Sequence, residues 1–357
     1  MLSLLSSIPI NFTDPNLTLK PSGQKFEAAK GTTLLQTALK NDVDFPYHCN
    51  VGTCGACRCK LADGEIKAIM DFSYTLSEAE IKEGYILACQ SLPRSDVAIE
   101  IEIDAKHPSH PLESFNGTIK STELLNHDIM DVVIELDRPI SFSAGQFADI
   151  SLKGMTRDRS YSFAGAPQEG GLSTLNFHVR KVPGGEYTEW LFEKDRIGEN
   201  FELHGPNGPF WLRDAEAPIL AIAGGSGMAP IKSILEEALN KGVNRPVTYL
   251  FAAREERDLY CLDEMKAIQE KWPNTFKFIP VLSREAKDSA WAGKRGVITD
   301  YITDELAGFS IADSHAYLCG SAGMIDTILL TLEEHKLSLE NIHYDKFLDA
   351  RQLDAQS

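Results

Sequence analysis

The cysteines between Pro46 and Lys60, in the segment PYHCNVGTCGACRCK, constrain this chain more than any other feature. Cys49, Cys54 and Cys57 stand in C-x4-C-x2-C spacing, and Cys89 follows further along as a fourth candidate ligand. This is the spacing of thiolate loops that wrap a binuclear 2Fe–2S core. Four thiolates must converge on such a core from a tightly curled backbone. Gly52, Gly55 and Ala56 supply the small side chains that let N–H groups approach the cluster sulfurs. Cys59, two residues past Cys57, is expected on an emerging strand that turns it away, as a spare buried thiol. A zinc site would show paired C-x2-C units, and a disulfide framework sits badly with an odd count of seven cysteines. The cysteine usage points to a reducing compartment.

A length of 357 residues exceeds one ordinary core and predicts two or three domains. The opening MLSLLSSIPI has no basic residue before its short apolar run, so it reads as neither a secretory signal nor a membrane span. The expected location is cytoplasmic. A net charge of −17 sets the surface against nucleic acid and anionic membrane, both polyanions. The same acidity serves either solubility or docking to a basic patch on a redox partner.

The pattern along the chain changes twice. Residues 17–30 alternate around a Pro-Ser-Gly turn, Thr33–Leu39 has helical spacing into the cysteine loop, and Val97–Ile103 closes the segment as a strict alternation. The reading is a β-grasp ferredoxin (α+β) domain over residues 1–105, followed by linker composition at Lys106–Pro111. Residues 112–213 hold many short strand-like segments and one helix, Glu186–Glu193, which predicts an antiparallel β-barrel. Residues 214–345 alternate apolar strands with helices, which predicts a doubly wound parallel sheet (α/β), and 346–357 form a tail.

Three constellations carry chemistry beyond the cysteines. In Arg159-Ser160-Tyr161-Ser162 an arginine suits a phosphate, an aromatic ring an isoalloxazine, and a hydroxyl flavin N5. His178-Val179-Arg180 then leads into Gly184-Gly185 and Thr188, a glycine turn opening a helix whose free N–H groups suit a pyrophosphate. Gly224-Gly225-Ser226-Gly227-Met228-Ala229-Pro230 follows a buried strand and precedes a helix, the context of a dinucleotide site. Cys319-Gly320-Ser321 repeats strand-to-turn-to-helix, so Cys319 either faces a nicotinamide or is a packed core thiol. Phe347 in the tail segment IHYDKF either stacks on the flavin or plugs the core. Arg254 and Arg257 follow the second strand of this region, where a 2′-phosphate would be met. Glu255, Glu256 and Asp258 interleave with them and lean the choice to NADH over NADPH.

Together these motifs resemble, over nearly the whole chain, the reductase components of bacterial multicomponent oxygenases in the ferredoxin-NADP reductase superfamily. VRKVPGG, GGSGMAPIKS and HYDKF are similar to segments of reductases serving Rieske-type ring-hydroxylating dioxygenases in aromatic hydrocarbon catabolism. The resemblance implies that Cys49, Cys54, Cys57 and Cys89 bind a 2Fe–2S cluster. It implies that Arg159, Tyr161, Ser162, Val179, Gly185 and Thr188 hold FAD, and that Gly225, Gly227, Cys319 and Gly320 receive NAD(P)H. Ser321 stands where many relatives carry proline, and Thr188 where many carry serine. Ser162 and Cys319 are the expected groups at the reacting centre, and a terminal oxygenase component or intermediate ferredoxin the expected acceptor. Reductases of di-iron hydroxylases or of deoxysugar dehydrases would look alike; a redox-sensing module would not need both nucleotide sites.

Overall fold

A computed structural model of the chain describes residues 14–41, 43, 45–47, 52, 55, 57–101, 110–155 and 158–347. Cys49, Cys54 and most of the expected linker lie outside the described residues. Two compact units are present, Met1–His107 and Pro108–Ser357.

The first unit runs β1 (Asn16–Lys20), β2 (Lys25–Glu27), α1 (Leu34–Lys40), β3 (Arg58–Asp63), β4 (Ile66–Ala68), α2 (Glu78–Lys82), β5 (Tyr85–Leu87), β6 (Ser91–Pro93) and β7 (Val97–Glu100). Its sheet has the order β2-β1-β7-β3-β5, with β1 and β7 parallel, and β4 pairs β6 as a separate ribbon. Helix α1 starts where Thr33 and Gln36 form a reciprocal capping box, and it buries Leu34, Leu35 and Ala38 against Leu17, Leu19 and Ile99. This is the expected β-grasp arrangement. Helix α2 is set by a second box, Ser77 with Glu80, and the Glu80 carboxylate also pairs with Arg58. Burial pushes that carboxyl up, but the Arg58 charge and the Ser77 hydrogen bonds outweigh it and hold it below the usual range. The pair ties α2 to the residue that follows Cys57.

The second unit opens with β8 (Glu113–Leu124), β9 (Ile129–Ile140), β10 (Phe147–Ser151), β11 (Arg159–Ser162), β12 (Leu172–Arg180), α3 (Glu186–Glu193) and β13 (Asn200–Asn207). The sheet order is β11-β10-β13-β8-β9-β12, and a bridge from Phe163 to Phe177 joins its two edges. Edge closure makes it a barrel. Leu175, Phe177 and Val179 of β12 point into its core, while Asn176, His178 and Arg180 alternate outward.

The chain then forms β14 (Ile219–Gly224), α4 (Met228–Asn240), β15 (Val247–Ala253), α5 (Leu262–Lys271), β16 (Phe276–Leu282), β17 (Lys294–Arg295), α6 (Asp304–Ala307), β18 (His315–Ser321), α7 (Ala322–Glu334) and β19 (Ile342–Phe347). All pairings in the sheet β17-β16-β15-β14-β18-β19 are parallel. Apolar clusters cover both faces, which is why β14 reads as an unbroken apolar run. Helix α4 begins at Met228, inside the glycine-rich segment expected to precede it, because Pro230 fits a first turn, where its missing N–H costs nothing. The strand order reverses beside β14, which places a crevice at the carboxyl ends of β14 and β18.

Candidate functional site

In the first unit Cys57 and Cys89 meet. Cys57 immediately precedes β3, Cys89 sits in a single 3-10 turn after β5, and the Cys89 N–H donates to Cys57 Sγ at 3.4 Å. Both are buried, and an N–H aimed at a thiolate sulfur is the contact that stabilises an anionic cluster. Gly52 has φ +81, a left-handed backbone that favours glycine in this loop. Thr75 donates its hydroxyl to the Gly52 carbonyl. This donor set fits an iron–sulfur core. Cys59 lies in the apolar core of the unit, its thiol pushed far up by burial and then by Cys89, in keeping with a spare thiol.

In the barrel, the R-x-Y-S strand and the glycine turn converge. Arg159 Nη2 lies 3.7 Å from Glu186 Oε2, at the first residue of α3. That helix is opened by Gly185 without any side-chain cap, leaving N–H groups and the positive end of its dipole beside a guanidinium. The pair suits a pyrophosphate. The Tyr161 ring is backed by Tyr187 at 5.4 Å, and Tyr187 by Trp190 at 5.8 Å, an aromatic column that braces one face for a flat ring. The Ser162 hydroxyl makes no hydrogen bond to another described residue and is available to a ligand. Ser160, by contrast, donates to Asp149 and is exposed.

Thr188 is buried, with its hydroxyl accepting from the Val182 N–H at 3.0 Å and lying 3.2 Å from the Val182 and Gly185 carbonyls. It therefore holds the turn's shape. Gly184 N–H donates to Glu189 at 2.7 Å. Val179 is fully enclosed in the barrel core, which leaves only its backbone for a ligand. His178 is buried against Tyr260, ring centroids 5.5 Å apart, with Nδ1 unpaired; burial and then Lys232 push it down to about 3, so it is neutral. Arg180 pairs with Asp128 at 2.9 Å and turns its Nη1 toward Gly225.

At the switch point the two turns press together. A Cβ on Gly227 would lie 2.3 Å from the Cys319 carbonyl oxygen, and one on Gly320 would lie 2.7 Å from Met324 Cε. Gly225 has φ +57, and its carbonyl accepts the Tyr260 hydroxyl at 3.0 Å. Cys319 is fully buried, and burial followed by Asp345 pushes its thiol well up, so it stands there as a neutral thiol. Phe347 pairs with Ser321 at the end of β19, partly buried against the core that holds Cys319. Arg254 is exposed, whereas Arg257 pairs with Glu255 at 2.8 Å and Asp258 accepts the N–H groups of Arg254 and Glu255.

Asp345 carries no local sequence signal, yet β18–β19 pairing sets it directly opposite Cys319. Burial pushes its carboxyl up to about 7 from 3.8. The folded chain then keeps a proton that the unfolded chain releases from about pH 4 upward. The resulting stability is complete below pH 4 and is lost as pH rises through 7, with a slope of up to about 1.4 kcal/mol per pH unit. Asp345→Asn is expected to remove that slope from thermal unfolding between pH 4 and 7. Equal slopes in both proteins would refute the assignment.

Comparison with known proteins bears on each part. A 2Fe–2S iron–sulfur cluster binding domain matches residues 17–94, an oxidoreductase FAD-binding domain 116–211 and an oxidoreductase NAD-binding domain 221–329. The xylene/toluene monooxygenase electron transfer component XylA of Pseudomonas putida is 37% identical, with 94% of each chain covered. The reductase component DmpP of phenol 2-monooxygenase from Pseudomonas sp. strain CF600 is 33% identical, covering 94% of this chain and 95% of its own. The reductase component of the naphthalene 1,2-dioxygenase system of Pseudomonas putida is 32% identical, covering 93% and 98%. Among solved structures, the Amycolatopsis cytochrome P450 reductase GcoB superposes with a TM-score of 0.72 at 32% identity, covering 94% and 99%. The chain is thus an oxidoreductase that takes 2Fe–2S, FAD and NAD(P)H, and it belongs to the family of oxygenase reductase components in which an iron–sulfur domain precedes a ferredoxin-NADP reductase-like pair.

Proposed function

We propose that this chain is the cytoplasmic NADH-oxidising reductase of an aromatic oxygenase system, and that its acceptor is the terminal oxygenase component or a ferredoxin between the two. The observation that carries the reading is the likeness, over 94% of the chain, to electron-transfer components of aromatic monooxygenases. When bound, NADH supplies electrons in pairs, FAD accepts the pair, and the 2Fe–2S cluster passes electrons on singly.

Every other task falls to the chain. Cys49, Cys54, Cys57 and Cys89 hold the cluster. Arg159 and the α3 N-terminus at Gly184–Gly185 bind the FAD pyrophosphate, with Arg180 as a further cation. Tyr161 supports the ring system, Ser162 offers it a hydroxyl, and the backbone of His178 and Val179 lines it. Gly225, Ser226 and Gly227 receive the NADH pyrophosphate. Cys319 and Gly320 bound the nicotinamide space beside Ser162, and Phe347 closes its edge. The acid-rich turn around Arg254 supports a free 2′-hydroxyl, hence NADH, because Glu255 neutralises Arg257. Hydride and electron transfer between the bound groups require no acid–base side chain acting on an organic substrate, which supports placing that substrate on the partner.

The relatives serve monooxygenases and a dioxygenase at similar identity, so the partner is an aromatic oxygenase of either class. The test is reconstitution with purified oxygenase components from the same cell. NADH consumption coupled to a hydroxylated aromatic product is expected with one of them. Brisk cytochrome c reduction with no coupled product from any monooxygenase or dioxygenase component would contradict the assignment.

A further inference from the structure

Helix α4 does more than follow the nucleotide turn. From it, side chains on successive turns reach three consecutive backbone positions on the segment that continues β11. Lys232 Nζ donates to the Ala164 carbonyl at 3.2 Å, and Ser233 Oγ donates to the Gly165 carbonyl at 2.8 Å. Glu236 Oε2 accepts the Ala166 N–H at 3.2 Å, and its other oxygen holds Lys232 at 2.6 Å. Ser233 is fully buried. The receiving segment is also fixed to the barrel: Phe163 N–H donates to Gln146 at 3.0 Å and Ala164 N–H to Asn176 at 2.9 Å.

The two ends of this ladder matter. Ala164 lies two residues past Ser162, while Ser233 lies six past Gly227, about 9 Å along one rigid helix. Apolar contacts around Ile231 and Ile234 would let the helix slide, since burial is not directional. Three hydrogen bonds to consecutive backbone groups admit one register only. We propose that Lys232, Ser233 and Glu236 are positioning residues that fix the nucleotide turn against the flavin strand, setting the reacting alignment of the two bound groups and not their affinity.

The test uses the full-length holoprotein with NADH alone, so the identity of the electron acceptor plays no part. Ser233→Ala removes the central bond, and Lys232→Met keeps the packed stem while removing the Ala164 bond. One lost hydrogen bond of the usual strength corresponds to about fivefold in rate. In stopped-flow, each variant is expected to lower the limiting rate of flavin reduction about fivefold. The isotope effect with NADH deuterated at nicotinamide C4 should rise, and the Kd for NADH should stay within about twofold. A merely structural role moves none of these. Independently of turnover, amide exchange should quicken at 163–168 and 228–236 together in protein without NADH. An unchanged limiting rate and isotope effect in both variants would overturn the proposal, as would weakened NADH binding with the limiting rate intact. Lys232→Met, partly exposed, carries the test if Ser233→Ala does not fold.

Discussion

Cys89→Ala is expected to abolish one-electron output while sparing the flavin. Its N–H donates to Cys57 Sγ, and both residues lie in a unit with its own apolar core, so the loss is confined to the cluster. Cytochrome c reduction should fall by at least about 100-fold, since removing a thiolate ligand does more than the 10- to 100-fold typical of an outer partner. Ferricyanide reduction, which takes electrons from the flavin, should stay within about twofold. The contrast is Cys59→Ala, two residues past Cys57 but packed in the core. That variant should keep its iron and lose only about 1–2 kcal/mol of stability. Loss of bound FAD in Cys89→Ala, or retention of iron in it, would contradict the ligand assignment.

Gly227→Ala should be the most damaging change in the nucleotide region. The added carbon would sit 2.3 Å from the Cys319 carbonyl oxygen, 2.7 Å from its carbon and 3.1 Å from the Gly320 nitrogen. These are backbone atoms of a central strand and have no rotamer by which to yield. The turn must then move away from β18, and NADH affinity is expected to fall about 100-fold, equivalent to about 3 kcal/mol. FAD content should be unchanged because its cradle lies on the barrel. Gly323→Ala is the control: nothing lies within 4 Å of its added carbon, and the site is in the first turn of α7, so stability should hold or rise slightly. A Gly227→Ala protein that binds NADH normally would show that the two turns do not form the site.

The contrast between these residues explains what the sequence made legible. Cysteine spacing, R-x-Y-S and the two glycine turns are local: each needs its neighbours within a few residues, so periodicity and spacing expose them. Helix Glu186–Glu193 is legible to the residue for the same reason. Asp345 becomes visible only when β19 pairs with β18, and the Tyr260 hydroxyl on the Gly225 carbonyl joins positions 35 apart. Neither leaves a local pattern. Thr188 and Ser160 show the reverse limit. Their residue types suited a ligand, but folding turned both hydroxyls onto the chain itself, one to lock a turn and one to bind Asp149. The ladder from α4 was hidden because Lys232 and Ser233 read as an ordinary polar stretch of an amphipathic helix.

The central claim is a single electron chain from NADH to a cluster held by the N-terminal unit. The most direct test is the visible spectrum of the anaerobically purified protein, recorded before and during titration with NADH, with iron and sulfide analysis of the same sample. The account predicts flavin bands over a broad iron–sulfur envelope, equal iron and sulfide, and bleaching of both chromophores by NADH. Flavin bleaching in a protein that carries no iron, or a cluster envelope that NADH leaves untouched, would contradict it.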